Sequence, residues 1–171
     1  MKFIMINGTS CVGKSTAVNR VLEEHSHFYK LSYDAQKWHF SKYNRNTHFE
    51  DVQVIVRAIA SAVSEMGYDI ICDSALYRKN REALFEIVEK YGYEIIEINL
   101  EADYEVLATR FDERVANALV NKSKTISNTS KERFREIYDT YQSEKNSDAI
   151  VLRTDELNGE EVAQKIFQLI Q

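Results

Sequence analysis

A glycine-rich stretch at residues 8–16 constrains the fold of this chain more than any other feature. It reads Gly-Thr-Ser-Cys-Val-Gly-Lys-Ser-Thr and fits the phosphate-binding pattern G-x-x-x-x-G-K-S/T, the P-loop. The apolar run at residues 2–7 precedes it, and a segment with Val18, Val21 and Leu22 at helical spacing follows it. Strand, glycine loop and helix form the context in which this motif binds phosphates. A chance glycine turn that carries a lysine would lack both flanks.

The chemistry of phosphate binding explains the spacing within this motif. Gly8 and Gly13 let backbone N–H groups approach the phosphates without a Cβ in the way. The following helix directs the positive end of its dipole into the same cradle. We expect Lys14 to reach the β and γ phosphates and the Ser15 hydroxyl to hold Mg²⁺. The predicted nucleotide contacts are Gly8, Ser10, Cys11, Val12, Gly13, Lys14, Ser15 and Thr16.

Composition and charge limit the class of protein further. The chain has 171 residues, of which 44% are hydrophobic and 29% charged, enough for one α/β domain with its own core. It contains no proline and only five glycines, so no linker divides it. The net charge of −5 argues against a large nucleic-acid-binding surface.

Cysteine usage and hydropathy predict the compartment. The two cysteines, Cys11 and Cys72, are typical of a reduced cytosolic protein with free thiols. The short apolar run at the N-terminus indicates a buried strand rather than a signal peptide. No apolar run is long enough to span a bilayer. We therefore expect a cytoplasmic protein without a membrane partner.

Apolar runs alternate with segments of helical spacing along the whole chain. The predicted strands are residues 2–7, 28–33, 68–72, 93–100 and 149–153. The main predicted helices are residues 15–24, 50–66, 79–91, 104–119, 131–144 and 159–169, and Ser130 is the expected cap of the helix at 131–144. A polar and aromatic segment at residues 35–49 indicates a short helix and a loop that cover a site. The alternation predicts right-handed crossovers and a parallel sheet with helices on both faces.

Three further segments carry a resemblance to a known family. They are Asp34 at the end of the second predicted strand, Ile70-Ile71-Cys72-Asp73-Ser74-Ala75-Leu76 followed by Arg81, and Leu100-Glu101-Ala102-Asp103 leading to Arg110 and Arg114. In this order after the P-loop, they resemble the small P-loop kinases of the adenylate-kinase-like group. The second segment is similar to the strand end of polynucleotide 5′-hydroxyl kinases and chloramphenicol-phosphotransferase-like AAA-domain kinases. The third looks like the helix that enters the arginine-bearing lid of such kinases.

The resemblance covers nearly the whole chain and implies its architecture. The fold would be a P-loop NTPase three-layer α/β sandwich, with a five-stranded parallel sheet of order 2-3-1-4-5 and helices on both faces. Residues 1–171 would form a single kinase domain with a mobile lid at about residues 115–135, because residues 120–129 are mostly polar. Donor and acceptor sites would lie at the carboxyl ends of the strands, where open parallel sheets bind ligands.

The same resemblance implies a catalytic group made of Lys14, Asp34, Arg110 and Arg114. Asp34 would take the proton of the acceptor, because its strand end lies beside the phosphate cradle, although an N-cap or a solvated turn is the alternative. Asp73 would join Ser15 in holding Mg²⁺. The alternatives are that Asp73 binds the acceptor or that it is only a turn residue at a strand end.

The two arginines of the third segment are spaced i, i+4 and therefore share one helix face. In a kinase that face would close on the transferring phosphate. The alternative is that Arg110 and Arg114 pair with local acids such as Asp112 and Glu113 on a solvated face.

These expectations describe an ATP- and Mg²⁺-dependent kinase that phosphorylates a hydroxyl of a small-molecule or nucleotide-like acceptor. A polynucleotide 5′-hydroxyl kinase is one alternative, but residues 34–38 carry only Lys37 where the phage-type enzyme has an arginine. A nucleotide-dependent switch is another, but the arginine pair within this chain favours a self-sufficient phosphotransferase. Nucleic acid is not the favoured partner. We expect the protein to be a monomer or a homodimer. Residues 35–49 are expected to select the acceptor.

Overall fold

In the computed structural model, which describes residues 1–74, 78–120 and 130–171, five strands form one parallel sheet. The strands are β1 (Lys2–Asn7), β2 (Phe28–Leu31), β3 (Asp69–Cys72), β4 (Glu94–Glu101) and β5 (Ile150–Arg153). Their order across the sheet is β2-β3-β1-β4-β5, and each neighbouring pair is parallel. The predicted fold class and strand order are confirmed.

Helices cover both faces of this sheet. They are α1 (Lys14–Glu24), α2 (Tyr33–Lys37), α3 (Arg45–Glu65), α4 (Arg78–Glu89), α5 (Tyr104–Val120), α6 (Lys131–Glu144) and α7 (Gly159–Ile170). Helices α1, α5, α6 and α7 pack against one face, and α3 and α4 pack against the other. Strand β1 in the middle of the sheet is buried on both sides because helices cover both faces there, whereas Ile150 and Val151 of the edge strand β5 are partly exposed.

The central strand β1 shows how the sequence produces this layering. Its side chains alternate, so Ile4 and Ile6 enter the core under α1 and α7, while Phe3 and Met5 enter the core under α3 and α4. All four side chains are fully buried. Each such burial contributes about 1.5–3 kcal/mol relative to exposure. The P-loop follows β1 directly and is therefore fixed at the middle of the sheet.

The structure corrects the predicted end of the second strand. Strand β2 stops at Leu31, and Asp34 lies in the first turn of α2 instead of at a strand end. The Ser32 hydroxyl accepts a hydrogen bond from the Ala35 N–H and caps this helix. The chain therefore enters the helix at Tyr33, one residue before Asp34.

The next helix begins earlier than predicted. Helix α3 starts at Arg45 rather than at residue 50, because the Asn44 side chain accepts a hydrogen bond from the Asn46 N–H and caps it. The prediction of a short helix followed by a loop holds for residues 35–44, and the first turns of α3 account for the rest of that segment.

The predicted lid at residues 115–135 lies partly outside the described residues, which omit 121–129. Its described parts are the last turn and a half of α5 and the start of α6. At that start the Ser130 hydroxyl accepts a hydrogen bond from the Arg133 N–H, so the predicted cap is confirmed. Residues 75–77, which include the end of the third-strand motif, also lie outside the described part. No helix in the described ranges is long and apolar enough to cross a membrane.

Candidate active site

The P-loop has the backbone geometry that its glycines were expected to allow. Gly8 has a φ of +149°, and a Cβ there would lie 2.6 Å from Val12 Cγ1 and 2.8 Å from the Leu100 carbonyl oxygen. Gly13 has a φ of +97° at the N-cap of α1, and Cys11 is left-handed with a φ of +66°. A side chain at Gly8 would collide with neighbours, whereas Gly13 is required for its backbone conformation alone.

Lys14 folds back over this loop. Its Nζ donates hydrogen bonds to the carbonyl oxygens of Gly8 and Thr9, both at 2.8 Å. Burial of the ammonium group lowers the pKa of Lys14 from 10.5 to about 8, although the nearby carboxylates of Asp34 and Asp73 act in the opposite direction. Lys14 thus places its amino group beside the backbone of the loop that is expected to bind phosphates.

The P-loop forms part of the walls of two cavities. Thr9, Ser10 and Lys14 line the larger one, which has a volume of about 570 Å³. The smaller one has a volume of about 260 Å³ and is lined by loop and helix residues that include Cys11, Val12, Gly13 and Thr16. Ser15 lies exposed in the first turn of α1. The predicted nucleotide contacts therefore lie on both sides of one loop.

Two carboxylates line the larger cavity, in different surroundings. Asp34 is 75% exposed and forms an ion pair with Lys37, with Oδ1 2.6 Å from Nζ. Asp73 is only 6% exposed, and its Oδ2 lies 3.4 Å from Lys30 Nζ. Asp73 Oδ1 is buried without a hydrogen-bond partner among the described residues. The structure thus brings both predicted aspartates to the side of the P-loop where Lys14 lies.

The structure separates the two predicted arginines. The Arg110 guanidinium donates hydrogen bonds to Thr154 Oγ1 at 3.0 Å and to the Thr154 carbonyl oxygen at 2.6 Å, and it lines the smaller cavity. Arg114, one turn later on α5, is exposed and lies close enough to Lys14 to lower the pKa of that lysine by charge repulsion. The two residues share a helix face, but Arg110 lines the smaller cavity, whereas Arg114 lies near Lys14 and lines neither of the two cavities.

A buried polar network at the back of the larger cavity was not predicted. Arg81 Nε lies 3.1 Å from Glu97 Oε1, and both side chains are 8% exposed. The amide groups of Asn7 and Asn146 each donate a hydrogen bond of 2.7 Å to the same carboxylate. A signal for it was present, because Glu97 and Asn99 are polar residues that alternate with buried apolar residues in the middle of β4.

Aromatic side chains from the predicted substrate-selecting segment form the outer wall. The cavity is lined there by Trp38, Tyr43, Arg45 and Phe49, while α6 supplies Arg133, Ile137, Thr140, Tyr141 and Glu144. The hydroxyl groups of Tyr33 and Tyr43 lie 3.0 Å apart. The contribution of α6 was not predicted, because no local pattern indicates which face of that helix meets the P-loop.

Comparison with known proteins agrees with this geometry. Residues 3–143 match the model of a family described as an AAA domain. Comparison with curated proteins gives no match. Among solved structures, the fold is similar to a sugar kinase from a Janibacter species, with a TM-score of 0.69 and 20% identity over 99% of this chain and 94% of that one.

Two further solved structures share the fold. Shikimate kinase from Aquifex aeolicus has a TM-score of 0.59 and 17% identity, over 98% of this chain and 95% of that one. The APS kinase of Mycobacterium tuberculosis has a TM-score of 0.64 and 12% identity, over 99% and 96%. Identities this low establish a common fold and nothing finer. The family match extends over most of the chain, which therefore belongs to the AAA domain family and has the fold of the small P-loop kinases.

Proposed function

We propose that this protein is an ATP- and Mg²⁺-dependent kinase that transfers the γ-phosphoryl group to a hydroxyl of a small-molecule or nucleotide-like acceptor. The observation that carries the proposal is the position of the P-loop between two cavities. Lys14 lines the larger cavity together with Asp34 and Asp73, whereas Gly13 and Thr16 line the smaller one. A nucleotide held by the loop would have its nucleoside in the smaller cavity and its γ-phosphate at the larger one.

The described residues fit a Mg²⁺ ion that arrives with the nucleotide. Ser15 is exposed in the first turn of α1, and Asp73 keeps a buried carboxylate oxygen with no hydrogen-bond partner in the described part of the chain. Hydroxyl and carboxylate oxygens are ligands that Mg²⁺ prefers, directly or through water. When bound, the ion would withdraw charge from the phosphate oxygens, and Ser15 and Asp73 are the residues that would hold it.

The side chains around the larger cavity supply what phosphoryl transfer requires. A bond forms between the acceptor oxygen and the γ-phosphorus, and the bond to the β–γ bridging oxygen breaks as ADP leaves. Asp34 would accept the hydroxyl proton, and Lys14 and Arg114 would offset the charge that develops on the phosphate oxygens. Arg110 would contact the nucleoside end, because it lines the smaller cavity.

A screen for acceptor-stimulated ADP formation tests this proposal. Purified protein is given ATP and Mg²⁺ with nucleosides, nucleotides, oligonucleotides, sugars and antibiotics, and phosphorylated products are identified by mass spectrometry. We expect at least one hydroxyl-bearing acceptor to stimulate ADP formation. Lys14→Ala should abolish that stimulation with the fold intact, because removing one transition-state charge contact costs about 3 kcal/mol or more. Unchanged turnover in Lys14→Ala would rule out a kinase centred on the P-loop.

The same screen separates the two alternatives. Selective phosphorylation of oligonucleotides, with binding that weakens steeply as salt is raised, would identify a polynucleotide 5′-hydroxyl kinase. Slow ATP hydrolysis that no acceptor stimulates would instead favour a nucleotide-dependent switch that acts on another protein.

A further inference from the structure

Three residues that line the larger cavity each carry a buried, neutral side-chain oxygen that lacks a hydrogen-bond partner among the described residues. They are Asn7 Oδ1, Thr9 Oγ1 and Tyr141 OH. All three atoms are shut off from bulk water, so solvent does not replace the missing protein partner. Folded proteins contain few such atoms, because leaving a buried polar group unpaired is costly. Their concentration around one cavity indicates hydrogen-bonding capacity reserved for a ligand.

The described cations of this cavity are, in contrast, already engaged. Lys37 pairs with Asp34 at 2.6 Å, Arg81 with Glu97 at 3.1 Å, Arg133 with Glu136 at 2.7 Å and Lys145 with Glu101 at 2.6 Å. The Arg45 guanidinium lies over the Phe49 ring, 5.4 Å from its centroid. Lys14 bonds to neutral carbonyl oxygens and belongs to the expected phosphate cradle, and Arg81 also donates a hydrogen bond to the Glu144 carbonyl oxygen. An anionic acceptor would therefore have to compete with an existing partner of one of these cations.

We propose that the phosphoryl acceptor is a neutral, multiply hydroxylated small molecule. This inference rests on the proposed kinase function and narrows its substrate class. Hydroxyl groups both donate and accept, so they match an amide oxygen at Asn7 and hydroxyls at Thr9 and Tyr141. A carboxylated or phosphorylated acceptor would also face Asp34 and Asp73, which line the same cavity. The volume of about 570 Å³ suits a small ligand.

Free sugars and nucleosides are both neutral and multiply hydroxylated, and direct binding measurements distinguish between them. Trp38 is the only tryptophan of the chain, is 50% exposed and lines the larger cavity, so its fluorescence reports on the cavity without turnover. Titrations would use Mg²⁺ and a non-hydrolysable ATP analogue. One arm compares neutral hexoses with the corresponding hexuronic acids, and the other compares ribonucleosides with their 3′-monophosphates.

We expect the neutral member of at least one pair to bind about tenfold more tightly than its anionic partner and to show a correspondingly higher kcat/KM. Tighter binding or faster phosphorylation of the anionic members would overturn the neutral class while leaving the kinase function standing. The neutral class would also be overturned if neutral compounds gave no fluorescence response even at concentrations above about 1 mM, which is the upper end of ordinary KM values. Binding of neutral compounds without any phosphorylation would support the acceptor class and count against the kinase function.

A hydroxyl deletion tests the recognition itself. Tyr141→Phe removes the unpaired oxygen and keeps the ring, so we expect kcat/KM for the acceptor to fall about tenfold with little change in the KM for ATP. Tyr138→Phe is the matched control, because Tyr138 lies on the same helix and packs against Tyr104 instead of lining the cavity. Equal effects of the two substitutions would mean that Tyr141 does not contact the acceptor.

Discussion

At the scale of single residues, Lys14 has the most unusual surroundings of the proposed catalytic groups. Its pKa falls to about 8, chiefly because burial disfavours the charged form, and Arg114 adds a smaller repulsion. Asp34, Asp73 and Cys11 act in the opposite direction. Nucleotide phosphates in the cradle would add strong negative charge and hold the proton on the amine. Binding of ATP and protonation of Lys14 should therefore be linked.

This linkage predicts how ATP affinity depends on pH. Below about pH 8 the free protein already carries the charged amine, so binding needs no proton. Above that pH binding must take up a proton, and each further pH unit should weaken affinity by up to about tenfold, or ~1.4 kcal/mol. Calorimetric titration in buffers of different ionisation enthalpy measures the proton uptake. Lys14→Arg, which stays charged, should lose the dependence, and a flat wild-type profile from about pH 7 to pH 9 would contradict the assignment.

Asp34 carries a second prediction at this scale. Asp34→Asn should retain ATP binding but lower acceptor phosphorylation by about 10²–10⁴-fold, because an amide cannot take the hydroxyl proton. Calorimetry with an ATP analogue and a product-forming assay separate the two effects. Asp51→Asn, an exposed substitution on α3 outside the larger cavity, serves as the control. Transfer at the wild-type rate in Asp34→Asn would show that another group accepts the proton.

At the scale of elements, α5 carries one arginine at the smaller cavity and one near Lys14. It begins beside β5, where Arg110 is held by Thr154, and runs past the P-loop, where Arg114 approaches Lys14. A spacing of i, i+4 places the arginines on one face about 6 Å apart along the axis. Under the proposed function, Arg110 would contact the nucleoside end of a bound nucleotide and Arg114 its transferring phosphate.

This division of work predicts unequal effects of substitution on α5. Arg114→Ala should lower kcat by about 10²–10³-fold and change ground-state ATP affinity much less, because its contact strengthens as charge develops in the transition state. Single-turnover rates and equilibrium titration of an ATP analogue give the two quantities. Glu113→Ala, the exposed neighbour, is the control. Normal kinetics in Arg114→Ala would place the charge-stabilising group elsewhere.

At the scale of the whole molecule, the P-loop joins two parts of the main core. It follows β1, the middle strand of the sheet, and precedes α1, whose Val18 and Val21 are fully buried against the same core that contains α5 and α7. A ligand that binds this loop therefore contacts a segment that is anchored in the buried core at both ends. Its binding energy should appear in the global stability of the protein.

Thermal unfolding tests this coupling. A Mg²⁺–ATP analogue at a hundred times its Kd should add about 2.7 kcal/mol to the free energy of unfolding and raise Tm by several degrees. Calorimetry of wild-type protein with and without the analogue measures the shift. Lys14→Ala should lose most of it while unfolding as cooperatively as the wild type. A shift of equal size in both proteins would mean that the nucleotide binds away from the P-loop.

The features that the sequence alone determined are those that depend on neighbouring residues. The P-loop and the helix cap at Ser130 are short motifs, and the alternation of strands and helices follows from hydrophobic periodicity. Even the strand order followed, because the order of motifs along the chain resembles a known architecture. The predicted end of β2 was wrong, because Ser32 caps α2 and the chain enters a helix where a continuing strand was expected.

Tertiary structure alone decided which side chains meet. Arg81 and Glu97 pair across 16 positions of the chain and Arg110 and Thr154 across 44, and no local pattern encodes either contact. The same holds for α6, whose Tyr141 lines the same cavity as Asn7 at the end of β1. Such contacts depend on how helices pack on the sheet, which the summed burial of many apolar side chains determines. The sequence therefore determined the P-loop and its position after the first strand, and the packing of helices on the sheet decided which side chains line the cavity beside it.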